Sequence, residues 1–151
     1  GLENLYNDLD IESKCNTSVS HCDFTPWNIF LGEKELFVID WELSEFKTPV
    51  FYDLFHFVFQ SSILVKRDSY KLIVSKIDVA LGHYPIKNIL NQLNIDINKY
   101  YQFYILHVVS YYLNKYLKQD NLHEQVYWLL SVWEEAIEDL NIKNGIIFNE
   151  K

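Results

Sequence analysis

A chain of 151 residues with 49% hydrophobic residues, including 11 Tyr, 10 Phe and 4 Trp, fits one domain with its own core, which excludes a disordered segment or a stapled mini-protein. The formal net charge of −8 argues against nucleic acid as a partner, because affinity for phosphate polymers is built from Lys and Arg. It favours a cationic small molecule over an anionic one, and serves solubility equally well.

Only two cysteines are present, Cys15 and Cys22, with no C-x-x-C pair, so neither a disulfide framework nor a zinc site is expected and a reduced, cytoplasmic setting is the simple inference. No apolar run approaches the roughly 18 residues that span a bilayer, and no basic-then-apolar signal comes after Gly1, so no membrane partner is expected.

In chain order, the spacing of Leu2, Leu5, Tyr6 and Leu9 predicts a short lead-in helix, and residues 17–20 a short strand. Residues 20–42 read SHCDFTPWNIFLGEKELFVIDWE and hold the densest chemistry. His21, Asp23 and Asn28 stand in the order H-x-D-x-x-x-x-N, and Asp40 follows the apolar segment 36–39. Phosphoryl-transfer sites use such a set: one carboxylate accepts the proton of the attacking hydroxyl, while an amide oxygen and a second carboxylate hold Mg²⁺ against nucleotide phosphates. Mg²⁺ wants oxygen ligands and keeps several waters, so one Asn and one Asp suffice.

The spacing predicts two antiparallel strands, 28–31 and 36–39, turned at Gly32 through a positive φ, which places Asn28 beside Asp40. Asp23 falls on the loop before them, where Pro26 drives Thr25 to an extended conformation. The ordinary alternative is a loop Asp capping a helix and an Asn closing a turn. A Cys22–His21 nucleophile is disfavoured because neighbours in an extended chain point to opposite sides.

Beyond a mixed, charged stretch at 43–48, Pro49 is expected to open a buried helix over 50–64 that carries one carboxylate, Asp53, with Lys66 and Arg67 at its end. Ser69 caps a helix ending at Gly82, residues 83–85 connect, and Ile86, Ile89, Leu90 and Leu93 mark another helix. Asp96 then caps a long helix to Leu117 whose tyrosines read first as core and second as an acceptor pocket, with His107 as a satisfied interior histidine. Asn121 and Glu124 resemble a capping box for a last helix. There Glu134, Glu135, Glu138 and Asp139 form a solvated face or, on the sharper reading, an acidic rim for a cationic acceptor. Gly145 ends it, and the tail 146–151 is expected to be frayed or lightly packed.

HCDFTPWN succeeded by VIDWE and by Tyr52-Asp53-Leu54 resembles the catalytic and metal-binding segments of the aminoglycoside phosphotransferase and choline kinase-like family, small-molecule relatives of protein kinases. The resemblance implies a mainly α fold with a small β-hairpin, the helical C-terminal lobe of a protein-kinase-like α+β architecture. It implies that Asp23 is the catalytic base, that Asn28 and Asp40 bind Mg²⁺, that His21 braces the loop and that Asp53 supports it through backbone hydrogen bonds. Glu42 then stands as a candidate support for metal or acceptor, and Glu134 and Glu138 as acceptor candidates. The family often has glycine where this chain has Cys22.

The implied reaction moves the γ-phosphoryl group of ATP or GTP to a hydroxyl of an aminoglycoside, amino alcohol or sugar. None of the four glycines, Gly1, Gly32, Gly82 and Gly145, falls in the glycine-rich hairpin that would cover the phosphates, and no strand-borne lysine to grip them precedes His21. Residues 1–151 are therefore expected to form a single acceptor-side lobe, with little turnover unless a nucleotide-binding lobe is supplied by the same or another chain. A non-catalytic binding module and a subunit completing its cleft with a partner are the alternatives.

Overall fold

The computed structural model describes Glu3 and residues 15–119 and 121–148. The lead-in helix expected over 1–17 lies almost wholly outside the described residues. From residue 15 onward the chain is mainly helical, with two small antiparallel sheets. Strand β1, Thr17–Ser20, forms as expected, but pairs with an unforeseen strand β4, Glu45–Pro49. The mixed composition of 43–48 hid β4, because little of it is buried and its sequence carries no clean alternation. Pro49 consequently closes a strand instead of opening a helix, a position compatible with its missing N–H at the end of an edge strand.

Between these strands the chain makes its second sheet, the hairpin of β2, Ile29–Leu31, and β3, Leu36–Val38, in the register Ile29↔Val38, Phe30↔Phe37 and Leu31↔Leu36. The turn is closed by the Gly32 N–H donating to Glu35 O at 2.8 Å. Gly32 does not adopt the positive φ anticipated for it. Its use is steric: a Cβ there would sit 3.2 Å from the Phe37 ring and 3.3 Å from Glu35 O.

Five helices complete the described chain. Helix α1, Tyr52–Gln60, continues as a π-helical segment, Ser61–Lys66, and lies at the centre of the core. Phe55 and Phe59 are fully buried there against Tyr101 and Tyr104. Helix α2, Tyr70–Leu81, buries the stripe Tyr70, Ile73, Ile77 and Leu81. Lys76 on α2 reaches back to Asp68 and to Ser62 Oγ, fixing the end of the π-helical segment. Helix α3, Tyr84–Leu93, begins with Pro85 in its first turn, where a missing N–H costs nothing.

Helix α4, Ile97–Tyr116, is capped by Asp96 Oδ1, which accepts from the N–H of Asn98 at 3.1 Å. It buries Tyr101, Tyr104, Ile105 and Val108, so those tyrosines are core. His107 is satisfied as expected but lies nearer the surface, partly desolvated, with Nδ1 turned onto the buried Tyr52 hydroxyl at 3.0 Å. Helix α5, Glu124–Ile142, starts one residue after His123, whose Nδ1 accepts from Gln125 N–H at 3.3 Å. The cap is thus His123 and not the Asn121 capping box. Of the tail expected to be frayed, residues 146–148 are held more firmly than their composition suggests, and 149–151 lie outside the described residues. Asn98 Oδ1 accepts from the N–H groups of Ile147 and Phe148 at 2.8 and 2.7 Å, and Phe148 is buried on Tyr101.

Candidate active site

The loop between β1 and β2 is built around two residues in unusual positions. Cys22 has φ 64°, in the left-handed region where a Cβ meets the following carbonyl, and this reverses the chain between His21 and Asp23. Thr25 is extended at φ −136°, as a residue before proline must be, and Pro26–Asn28 closes a single 3₁₀ turn with Asn28 N–H donating to Thr25 O at 3.0 Å. Asn28 therefore ends this turn, and the first strand starts one residue later than its sequence suggests.

Asp53, at the start of α1, holds the loop from below. Its Oδ2 accepts from His21 N–H at 2.8 Å and its Oδ1 from Cys22 N–H at 3.0 Å. His21 is buried and joins loop to hairpin through both ring nitrogens. Nδ1 accepts from Asp23 N–H at 3.2 Å, which leaves the proton on Nε2 to donate to Ile39 O at 2.8 Å. The Trp41 ring covers it at 4.8 Å, anchored by its own Nε1–H to Val38 O.

The hairpin end that carries Asn28 also leads into Asp40. Ile39 N–H donates to Asn28 O at 3.0 Å, extending the β2–β3 register by one step, and Asp40 comes next at φ 62° before the short 3₁₀ turn Trp41–Leu43. Asp40 makes no side-chain capping bond there and is exposed. Asn28 is buried, and both bonds of its side chain run through Nδ2, to Asp23 O at 2.9 Å and Asp23 Oδ2 at 3.0 Å. Its Oδ1 thus remains an acceptor among the described residues. One amide oxygen and one carboxylate at the same end of a hairpin are the donors that a hard, partly hydrated cation takes. Among the described residues no group of three or more His, Cys, Asp or Glu side chains forms a cluster able to hold a metal.

Asp23 itself is partly exposed, with one carboxylate oxygen on Asn28 and the other, Oδ1, 3.5 Å from Nε2 of His56. That separation suits an ion pair and is too long for a well-made hydrogen bond, so both ring nitrogens of the buried His56 lack a hydrogen-bond partner among the described residues. The His56 ring beside it holds the Asp23 carboxyl below its ordinary range, against the opposing effect of burial. An ionised, partly accessible carboxylate can accept a proton from a bound hydroxyl.

His56 escaped the sequence reading. The available signal was its spacing: a polar residue one turn after Asp53 in an otherwise aromatic helix shares Asp53's face. Cys22 is half-buried, its Sγ 3.8 Å from Thr48 Oγ1, and burial pushes its thiol up, away from thiolate chemistry.

The other candidates stand apart. Glu42 is exposed in the turn after Asp40. Glu134 is exposed on α5, and Glu138 lines a shallow depression with Tyr70, Lys71, Glu135 and Lys143, to which residues 20–42 contribute nothing.

The site end of the molecule is bordered by uncovered apolar surface. Phe30, Leu31, Leu36, Phe37, Ile39 and Trp41 are all exposed, Leu31 at 82%, so the hairpin is apolar on both faces with nothing described packed over it. Contiguous exposed apolar surface is uncommon on soluble monomers and commonly belongs to an interaction site.

No helix among the described residues is long and apolar enough to cross a membrane. No family model, curated protein or solved structure matches this chain.

Proposed function

We propose that the chain is the acceptor-side lobe of an ATP- or GTP-dependent phosphotransferase that modifies a hydroxyl of a small molecule. The observation that carries this reading is the Asp23 carboxylate bonded to Asn28 Nδ2, with Asp40 following directly on the backbone bond from Ile39 to Asn28. Three local features fix the loop against the hairpin: the left-handed Cys22, the His21 side-chain bridge to Ile39 and the extended register at Ile39. Asp40 is exposed and makes no capping bond, and Asp23 keeps part of its carboxylate accessible, so neither is spent wholly on the fold.

On this reading Asp23 orients the acceptor hydroxyl and takes its proton as the hydroxyl oxygen attacks the γ-phosphorus, while the γ-phosphorus–bridging-oxygen bond breaks and the nucleoside diphosphate leaves. Asn28 and Asp40 would hold Mg²⁺, which supplies neutralisation of phosphate charge. Asp53 and His21 keep the loop in register with the hairpin. The exposed hairpin favours a cleft completed by further polypeptide, in the same chain or a partner, with the apolar rim buried beneath it and the nucleotide.

The test is Mg²⁺-dependent phosphoryl transfer from labelled ATP to kanamycin, choline and glucose, using the protein with any polypeptide encoded upstream of Gly1. Phosphorylation of one of these, reduced on the order of 10²-fold or more by Asp23→Asn, is the expected result. Transfer that Asp23→Asn leaves unchanged, or no transfer to any hydroxyl, would overturn the reading.

A further inference from the structure

His56 is placed to act on Asp23. It sits one turn after Asp53 on α1, so the two side chains meet the same loop. Asp53 takes the backbone of His21 and Cys22, while His56 faces the side chain of Asp23 across 3.5 Å. The ring is 1% exposed and neither nitrogen is spent on a hydrogen bond among the described residues. Burying an unspent polar ring is unfavourable, and Leu or Phe would fill the space without that cost, so packing does not account for a histidine here.

The groups around the ring point to the same partner. Along its own helix the Tyr52 ring stacks at 5.9 Å, and from α4 Tyr104 approaches edge-on at 6.2 Å. The Tyr52 hydroxyl is already engaged with His107 Nδ1. His107 itself is held below its ordinary value by partial burial and then by His56. Asp23, from the loop, is the one carboxylate within ion-pair distance of the His56 ring among the described residues.

We infer that His56 is a positioning residue for Asp23, its Nε2–H directed at Oδ1 while Asn28 Nδ2 donates to Oδ2, so that the carboxylate is clamped from both sides. This rests on reading Asp23 as the base. The clamp fixes the rotation of the carboxylate about its Cβ–Cγ bond and leaves its remaining lone pairs to the acceptor hydroxyl. Orientation of this kind accelerates the chemical step without adding a contact to substrate. Hydrogen bonds around a catalytic base commonly tighten only in the complex with substrate, which accommodates the 3.5 Å separation.

Two measurements test the inference. Histidine ring ¹⁵N NMR on the 151-residue chain should find His56 with its proton on Nε2, and its ring shifts should move in Asp23→Asn while those of the exposed His83 and His123 do not. A proton on Nδ1, or a ring indifferent to Asp23→Asn, would overturn it. In the phosphoryl-transfer assay with kanamycin, choline and glucose, His56→Leu should lower kcat roughly 10- to 100-fold with KM changed by less than about twofold, and His56→Gln, which keeps a donor, should recover most of the rate. Wild-type kcat in His56→Leu, or equal losses in Leu and Gln, would sink the role. If His56→Leu fails to fold, the Gln variant and the NMR of the unsubstituted ring still decide. The two readings fail separately. A neutral Asp23→Asn removes the base and the clamp with it, whereas a damaging Asp23→Asn beside a neutral His56→Leu removes the clamp alone.

Discussion

Asp53 receives two consecutive backbone N–H groups, from His21 at 2.8 Å and Cys22 at 3.0 Å, one on each carboxylate oxygen. This fork converts a carboxylate that would be expensive in an aromatic helix into the anchor of the loop that carries Asp23. Asp53→Asn keeps the shape but replaces one acceptor by an amide donor facing an N–H. A loss of about 1.5–3 kcal/mol in urea denaturation is expected, the range for hydrogen bonds to a charged group. Faster exchange of the His21 and Cys22 amides should accompany it. An unchanged unfolding midpoint would show that the loop is held by something else.

Cys22 supplies the reversal at φ 64° without being glycine. A glycine would take this position without strain, whereas the left-handed region costs an L-residue roughly 1–2 kcal/mol. Cys22→Gly removes that strain but adds freedom to the unfolded chain and gives up the Sγ contact to Thr48, so its stability should fall within about 1 kcal/mol of the parent. Cys22→Val puts a β-branched side chain where it is least tolerated and should cost roughly 1–3 kcal/mol. Thermal melts of the two variants side by side would check the order, and equal melting would refute the strain argument.

Legibility in the sequence tracked the range over which each feature is determined. Helices α2, α3 and α4 were readable to within a residue or two, since apolar period, proline placement and the Asp96 cap are local. So was the hairpin, where alternation is absent but the apolar runs flank a turn around Gly32. Strand β4 was not, because it exists only through pairing with β1, some 30 residues away in sequence. The same holds at the candidate site. Asp23, Asn28 and Asp40 announce themselves by spacing, whereas His56 gains meaning only when the chain folds α1 under the loop. The firm docking of Phe148 was equally hidden, as it depends on Asn98, 50 residues earlier.

The metal reading makes a separable prediction at Asp40. Its φ of 62° is tolerated by Asn at least as well as by Asp, so Asp40→Asn removes the charge without disturbing the turn. In the phosphoryl-transfer assay the Mg²⁺ concentration for half-maximal rate should rise at least about tenfold, since a direct ligand should matter no less than the outer-shell groups whose loss costs about 10–100-fold. Glu42→Gln, exposed and two residues on, should leave that concentration within about twofold if its carboxylate is a bystander. Reversal of these two outcomes would move the metal from Asp40 to Glu42.

The tyrosine-rich core sets the alkaline limit of stability. Tyr101 and Tyr104 are fully buried, and desolvation holds both hydroxyls well above the ordinary tyrosine value; Tyr52 and Tyr70 are pushed up for the same reason. A group whose pKa is raised in the folded state contributes stability that is complete below the unfolded value, about 10 for tyrosine, and is lost as pH rises past it. Unfolding should therefore set in above about pH 10, with buried tyrosinate absorbance appearing together with loss of helix rather than before it. Tyr104 adds a sharper test, because its hydroxyl has no hydrogen-bond partner among the described residues, whereas Tyr101 donates to the Tyr70 hydroxyl at 3.3 Å. Tyr104→Phe should be neutral or stabilising and should shift the alkaline transition upward, while Tyr101→Phe should cost about 0.5–1.5 kcal/mol at neutral pH. A tyrosinate signal that rises while the helices remain intact would mean that these hydroxyls reach solvent in the folded protein.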